Sequence, residues 1–379
     1  MRGGPLVASA GRARTARNQD ARPTLPARRS DTPDFAANTA EPGDLLGSDA
    51  LLYRRHDPHA PSPTHPLPPL RPTVLRTAPS DSEFDALEGV ARTLTASGWY
   101  RVSRRFQPRS QYAEADGTPK KTALFVDVET TGLDRASDAI IEFAAVPFRY
   151  SVDDGEIYDV GESISFLEDP GCPIPESVTE LTGITEEMVR GERIDDARVE
   201  GLLSDASLIV AHNASFDRPF IERRLPAFAA KPWACSCNEV PWREHGCSGT
   251  KLEYILLTIA GEFYDAHRAV DDCLVGIHVL ASRGPTGELP FAQLLASARR
   301  STCRVWAVAS PFECKDKLKA RRYRWNDGND GRPRAWYTDV SEPELERELA
   351  WLGENVYGGC ADSCLVDRLT AVERYSLRG

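Results

Sequence analysis

The chain has 379 residues, with 46 basic and 57 acidic residues and a formal net charge of −11. This length allows two or three domains, and no run approaches the roughly 18 apolar residues that a membrane-spanning helix needs. The acidic balance argues against a protein that holds nucleic acid through charge alone. We expect a cytoplasmic location, because the start of the sequence has no apolar signal segment.

The first 82 residues are predicted to form a disordered extension rich in proline, arginine and alanine. Seven prolines lie within 58–72, and the segment shows no hydrophobic period. It therefore cannot bury enough apolar surface to offset the entropy lost on ordering. Residues 83–121 predict a short lead-in of helix, strand and loop, because Phe84 and Leu87 begin a series of apolar residues at helical spacing.

The segment 122–283 has the densest pattern of predicted elements. It begins with the apolar strand 123–128 and continues through further strands and amphipathic helices. This order predicts an α/β domain with a mixed sheet. Residues 284–302 are then predicted to be a linker, residues 303–358 a small α+β accessory domain, and the remaining 359–379 a C-terminal tail.

Four acidic residues and one histidine stand out by position. Asp127 and Glu129 lie two residues apart at the end of an apolar strand, so their side chains share one face. Two carboxylates on one face repel each other unless a cation lies between them. Asp217 follows a second apolar strand, and Asp272 comes five residues after His267. Taken singly, an aspartate in the position of Asp217 is typical of a helix cap, and a histidine at a helix start, such as His267, is typical of a structural or exposed residue.

Together these residues form three ordered motifs. The motifs are Asp127-x-Glu129-Thr130-Thr131-Gly132-Leu133, His212-Asn213-Ala214-Ser215-Phe216-Asp217 and His267-x4-Asp272. This series resembles the DEDDh 3′–5′ exonucleases and, among them, the epsilon proofreading subunit of bacterial DNA polymerase III. The resemblance covers residues 122–283, which is less than half of the chain.

The resemblance implies a ribonuclease H-like fold, which is a mixed five-stranded sheet flanked by helices. It also implies that Asp127, Glu129, Asp217 and Asp272 hold two Mg²⁺ or Mn²⁺ ions, and hard cations of this kind suit carboxylate ligands. His267 would then be the general base that takes a proton from the attacking water, since an imidazole titrates near neutrality.

The same resemblance assigns substrate contacts around the terminal nucleotide. Thr130, Thr131, Leu133 and Asn213 would contact that nucleotide, with Leu133 against the last base. Glu142 lies inside an apolar strand and is either a substrate contact or an edge residue.

A second histidine, His212, precedes Asp217 by five residues and could be mistaken for the base. It follows directly on a strand, whereas the resemblance assigns the base to His267. We therefore expect His212 to support the site.

The sequence thus predicts a metal-dependent 3′–5′ exonuclease acting on single-stranded or frayed DNA. It would release nucleoside 5′-monophosphates in replication proofreading or repair. Its partners would be single-stranded DNA 3′ ends, or RNA ends, and a DNA polymerase. The alternatives are a 3′–5′ exoribonuclease of the same superfamily and a non-catalytic nucleic-acid-binding protein, although the intact active-site residues argue against the second.

Two other patterns remain open at this stage. The basic residues of 315–324 are combined with the aromatic residues Tyr323, Trp325, Trp336 and Tyr337. This combination predicts either a nucleic-acid-binding surface or a small domain whose aromatic residues form its own core. Cys235, Cys237, His245 and Cys247 could be drawn as a zinc site, but their spacing fits no common zinc finger.

Overall fold

The computed structural model describes residues 80–285 and 287–378. The predicted disordered extension lies outside the described residues, apart from its last three positions. The predicted lead-in begins within the first helix. None of the helices in these two ranges combines the length and the apolar character that crossing a membrane requires.

The described residues form alternating strands and helices. The strands are β1 (Arg104–Arg105), β2 (Lys120–Thr130), β3 (Ile140–Ser151), β4 (Ile157–Val160), β5 (Ile164–Leu167), β6 (Ala206–Ala211), β7 (Trp233–Cys235), β8 (Glu262–Phe263), β9 (Thr302–Ala307), β10 (Arg324–Trp325), β11 (Trp336–Ser341) and β12 (Leu365–Leu369). The helices are α1 (Asp81–Ala96), α2 (Glu176–Thr182), α3 (Glu186–Val189), α4 (Asp196–Asp205), α5 (Ala214–Arg224), α6 (Ser236–Glu239), α7 (Leu252–Ile259), α8 (Ala269–Ala281), α9 (Pro290–Ala298), α10 (Lys315–Ala320) and α11 (Leu345–Leu352).

The central sheet has the strand order β4-β3-β2-β6-β7, and β5 also pairs with β3. Strands β2 and β3 are antiparallel, whereas β2, β6 and β7 are parallel. Strands β4 and β5 pair with different parts of the long strand β3, so the sheet has five strand positions. The predicted fold class, a mixed five-stranded sheet with helices, is confirmed.

Strand β2 is buried on both faces because helices cover both sides of the sheet. Ala123 and Phe125 belong to one hydrophobic cluster with residues of α7, α8 and α9. Leu124 and Val126 alternate with them and belong to a second cluster with residues of α4 and α5. A continuous apolar run is the pattern expected for a strand covered on both faces. This strand and the two helices α5 and α8 carry the acidic residues.

Helix α8 packs unusually closely against β2, because residue 276 is a glycine. A Cβ atom at Gly276 would lie 2.2 Å from Cζ of the Phe125 ring. The ring is fully buried and has no room to retreat. The missing side chain therefore fixes the distance between α8 and the strand.

The C-terminal sheet has the order β10-β11-β9-β12 and is antiparallel. Its core includes Val305, Leu318, Tyr323 and Leu352. The small α+β character expected for this part of the chain is confirmed, and its aromatic residues contribute to its own core.

The structure differs from the sequence prediction at the two ends of this C-terminal part. The segment predicted to be a linker contains α9, whose Phe291 and Leu294 are fully buried in the main core. The segment predicted to be a tail contributes β12, and Ala371 accepts a hydrogen bond of 2.7 Å from the backbone N–H of Trp233. Both segments pack against the rest of the protein because they carry apolar and hydrogen-bonding groups. The proline and glycine residues near them favoured the prediction of irregular structure.

Candidate active site

Two strands and two helices bring the acidic residues together. Asp127 and Glu129 lie on β2, and Asp272 lies in the first turn of α8. One carboxylate oxygen of each of these three residues lies within 4.8 Å of the others. The alternation along β2 and the close packing of α8 therefore build the cluster that the motif spacing predicts.

Asp217 approaches the cluster from the other helix. It lies in the first turn of α5, just beyond β6, and the parallel pairing of β2 and β6 brings the ends of the two strands to the same edge of the sheet. Its side chain is buried, and its Oδ2 has no hydrogen-bond partner among the described residues. An unpartnered buried carboxylate oxygen is costly, so it indicates a position where a ligand belongs.

The electrostatics of the four carboxylates are mutually unfavourable. Burial, followed by the charges of Asp217, Asp272 and Glu129, raises the pKa of Asp127 well above its ordinary value. Burial is also the largest cause at the other three sites. It raises the pKa of Glu129 to about 8, that of Asp272 to about 6, and that of Asp217 well above its usual range.

This donor set fits divalent cations. Carboxylate oxygens are the ligands that Mg²⁺ and Mn²⁺ prefer, and bound cations would offset the repulsion between these neighbouring acids. Asp127, Glu129, Asp217 and Asp272 would hold such ions. The predicted acidic cluster suited to a metal ion is confirmed, whereas the identity of the metal stays a prediction.

His267 lies next to the cluster and is attached to it through its backbone. Its N–H donates a hydrogen bond of 3.0 Å to Oδ2 of Asp272, five residues further on. Its backbone has φ 73°, a left-handed conformation that is uncommon for residues other than glycine. Such strained positions concentrate at functional sites. The structure thus places His267 beside Asp272, and its role as the base stays a prediction.

Glu142 is neither of the two things that the sequence suggested. Its side chain is fully buried opposite Glu129 in the β2–β3 ladder. One oxygen accepts the backbone N–H of Ala269 at 3.1 Å, and the carboxylate also pairs with Arg268 at 3.0 Å. Glu142 therefore caps the start of α8 from across the sheet and fixes the segment that follows His267.

Tyr264 is a site residue that the sequence reasoning missed. Its hydroxyl donates a hydrogen bond to Oδ1 of Asp272. With His267 on the other oxygen, both oxygens of this carboxylate are oriented by the chain. No spacing rule links Tyr264 to the motifs, because the segment between β8 and α8 is irregular.

The loop after β2 uses its threonines internally. The hydroxyl of Thr130 donates to the carbonyl of Gly132 at 2.6 Å, and that of Thr131 donates to Asp138 at 3.1 Å. Leu133, in contrast, is 82% exposed at the tip of this loop. Of the predicted substrate contacts in this loop, Leu133 is therefore the side chain that is free to meet a base.

Asn213 and His212 lie at the junction of β6 and α5. Asn213 precedes α5 with φ 75°, and its Oδ1 accepts a hydrogen bond from Ser215. His212 is held between the hydroxyl of Ser236 at 2.9 Å and the carbonyl of Thr250 at 2.7 Å, and burial lowers its pKa. These contacts agree with a supporting role for His212.

The zinc alternative gains no support. In the described part of the chain, the cluster of Asp127, Glu129 and Asp272 is the one group of potential metal-ligating side chains that comes together. Cys235 is buried and unpaired, and His245 instead binds Gln293 at 2.7 Å.

A family comparison matches the segment that carries this site. Residues 124–280 match the RNase T model, described as Exonuclease. These residues are an RNase T-type exonuclease domain of the DEDDh group. The exonuclease domain includes the strand β2 and the helices α5 and α8, which carry the four acidic residues, together with His267.

Curated relatives with similar sequences are DNA polymerases III of the PolC type. The protein of Clostridium perfringens is 34% identical over 159 residues, which are 41% of this chain and 10% of that protein. The protein of Listeria monocytogenes is 43% identical over 102 residues, or 26% of this chain and 7% of that protein. The chain therefore spans about a tenth or less of the length of these relatives.

Solved structures show limited overall similarity. E. coli exonuclease I in complex with a dA16 oligonucleotide is 17% identical, with a TM-score of 0.37, and the match covers 58% of this chain and 63% of that chain. Exonuclease X in complex with 5′ overhanging duplex DNA is 23% identical, with a TM-score of 0.30, covering 45% of this chain and 99% of that one.

Proposed function

We propose that this protein is a metal-dependent 3′–5′ exonuclease that hydrolyses the terminal phosphodiester bond of single-stranded or frayed DNA and releases nucleoside 5′-monophosphates. The observation that carries the proposal is the half-buried cluster of Asp127, Glu129 and Asp272, with the unpartnered oxygen of the buried Asp217 beside it. The match to the exonuclease family over the same residues supports it.

The side chains have separable roles in this proposal. When bound, two divalent ions supply a nucleophilic hydroxide at neutral pH and stabilise the charge that develops on the phosphate. The four carboxylates hold the ions, and His267 takes the proton from the attacking water. Tyr264 and the backbone of His267 fix the orientation of Asp272, while exposed Leu133 contacts the terminal base.

DNA is the proposed substrate because the curated relatives are DNA polymerases. Proofreading or repair is the corresponding proposed role, with a DNA polymerase as the proposed partner. Discrimination against RNA depends on how the site accommodates the 2′-hydroxyl, so the DNA and RNA substrates have to be compared directly.

A gel assay with 5′-labelled oligonucleotides tests polarity and substrate together. We expect a ladder that shortens from the 3′ end of single-stranded DNA in Mg²⁺ or Mn²⁺, and a much weaker ladder on RNA of the same sequence. A 3′-phosphate-blocked DNA controls for attack at the free end. Faster shortening of RNA would replace this proposal with the exoribonuclease alternative, and binding without cleavage under any metal would replace it with the non-catalytic one.

A further inference from the structure

A second feature of the surface is a basic cleft between the exonuclease domain and the C-terminal sheet. It has a volume of about 610 Å³, and seven arginines line it against two carboxylates, Glu239 and Asp339. The protein as a whole carries a charge of −11. The cleft is therefore a local reversal of the charge of the molecule, and such a concentration of one sign attracts an oppositely charged ligand.

The two carboxylates of the cleft are already neutralised within the protein. Asp339 pairs with Arg304 at 2.8 Å and with Arg324 at 3.1 Å. Glu239 pairs with Arg374 at 2.9 Å and also accepts the hydroxyl of Tyr375. The remaining positive charge is consequently available to a ligand.

Three other arginines of the cleft supply that positive charge. Arg135, Arg300 and Arg322 are exposed, and their guanidinium groups have no side-chain or backbone partner among the residues that the structure describes. Arg135 lies in the loop after β2, Arg300 follows α9, and Arg322 follows α10. They thus come from three separate parts of the chain and converge on one cleft.

The other lining groups match phosphates better than bases. Seven serine and threonine side chains line the cleft, and arginine with hydroxyl side chains is the usual donor set for nucleic-acid backbones. The ring of Tyr337 is covered by the guanidinium groups of Arg304 and Arg324, at 5.1 and 4.7 Å from its centroid. These arginine contacts already occupy the ring within the protein.

The cleft and the acidic site share helix α5. Ser215 lines the cleft, and Asp217, two residues later on the same helix α5, belongs to the carboxylate cluster. The loop that carries Arg135 follows β2, the strand of Asp127 and Glu129, so two elements of the acidic site also border the cleft.

We propose that this cleft binds the phosphodiester backbone of the single strand upstream of the 3′ end being hydrolysed. The proposal rests on the proposed exonuclease function and adds a substrate-binding surface outside the reacting site. In this proposal, the arginines between the C-terminal sheet and the exonuclease domain bind the nucleic acid, in place of the lysines of α10.

The test is a pair of double charge reversals in the full chain. The cleft variant is Arg300→Glu with Arg322→Glu, and the control is Arg193→Glu with Lys319→Glu, which makes the same change in charge at exposed residues outside the cleft. Binding of fluorescein-labelled dT20 is measured by anisotropy in EDTA at several salt concentrations. We expect the Kd of the cleft variant to rise about tenfold or more, and the salt slope to fall by roughly 0.7 for each lost phosphate contact.

The control variant should stay within about twofold of the wild type, since its residues make no contact with the bound strand. Equal changes in the cleft and control variants would overturn the proposal. A different result would be that poly-glutamate binds as tightly as dT20 and that the cleft variant loses both kinds of binding equally. The cleft would then bind an acidic protein segment, and the proposal would be overturned. A milder variant with glutamine at both cleft positions guards against misfolding.

A second readout links the cleft to hydrolysis. In Mg²⁺ we expect the ratio of kcat/KM for dT20 to that for dT3 to fall about tenfold in the cleft variant, because the short substrate offers the cleft fewer phosphates. An unchanged ratio would contradict the proposal. Because anisotropy is measured without metal, a wild-type protein that hydrolyses nothing would refute the proposed activity while leaving the test of the cleft intact.

Discussion

At the scale of single residues, the acidic site combines groups that the sequence reveals with groups that it conceals. Asp127, Glu129 and Asp272 are recognisable because their motifs are local, and the structure brings them together. Glu142 and Tyr264 are not recognisable, because their partners Ala269 and Asp272 are defined only by the tertiary packing. Such tertiary hydrogen bonds leave no periodic signal in the sequence.

The two histidines give the sharpest prediction at this scale. Replacing His267 with alanine should lower kcat by about 10²–10⁴-fold, the usual contribution of a general base. Replacing His212 with alanine should lower kcat much less and reduce the melting temperature, because this ring joins Ser236 to Thr250. Steady-state kinetics and thermal melting separate the two effects, and equal losses of kcat would contradict the assignment.

Asp217→Asn should separate the effect of the carboxylate on stability from its effect on metal binding. Because burial and neighbouring carboxylates raise the pKa of Asp217, removing its charge relieves repulsion in the metal-free protein. At pH 8 in EDTA we expect the melting temperature to rise by about 2–4 °C, while stabilisation by Mn²⁺ is lost. The control is Glu180→Gln, an exposed residue, and a lower melting temperature for Asp217→Asn alone would count against the account.

At the scale of elements, the apolar run in β2 predicts a central strand, and that strand is central in the structure. The distance between α8 and this strand could not be predicted from the sequence. It depends on the contact of Gly276 with the ring of Phe125, which lies far away in the sequence. The linker prediction shows the same limit. The helix α9 is short and follows a glycine- and proline-containing stretch, yet Phe291 is fully buried.

Two glycine substitutions test whether close packing of α8 positions the site. Gly276→Ala should reduce the free energy of unfolding by about 1–3 kcal/mol, because the new Cβ would overlap the Phe125 ring. It should also lower kcat/KM, since α8 carries Asp272. Gly201→Ala is the matched control, as a Cβ there meets nothing within 4 Å, and should stabilise helix α4 by roughly 0.5–1 kcal/mol. Denaturant unfolding measures the free energy of unfolding of both variants. Similar changes in the two variants would refute the argument that α8 must pack closely.

At the scale of the whole molecule, a buried arginine is one of the groups that attach the C-terminal segment to the exonuclease domain. The guanidinium of Arg218 donates to the carbonyls of Arg374 at 2.5 Å and Val372 at 2.6 Å, and it pairs with Glu222. Arg218 follows Asp217 directly on α5. The division into an exonuclease domain and an accessory domain therefore stays a proposal. The last residues of the chain contact the exonuclease domain.

Arg218→Ala should be far more destabilising than loss of an exposed arginine. It leaves the carbonyls of Val372 and Arg374 without this donor and removes one of the two arginines that pair with Glu222. A buried group left unsatisfied costs about 1–3 kcal/mol. Arg198→Ala removes an exposed pair with Glu162 and should change stability by about 0–1 kcal/mol. Chemical denaturation measures both, and a similar small loss for each would show that Arg218 does not hold the two parts together.

The measurement that tests the central claim most directly is product analysis on a single-stranded DNA labelled in its 3′-terminal nucleotide. The account predicts that the labelled nucleoside 5′-monophosphate is released first in Mg²⁺ or Mn²⁺, that EDTA stops the release, and that Asp127→Asn lowers its rate by about 10³-fold or more. Release that persists in EDTA or in Asp127→Asn, or a first product from the 5′ end, would contradict the assignment of the carboxylate cluster.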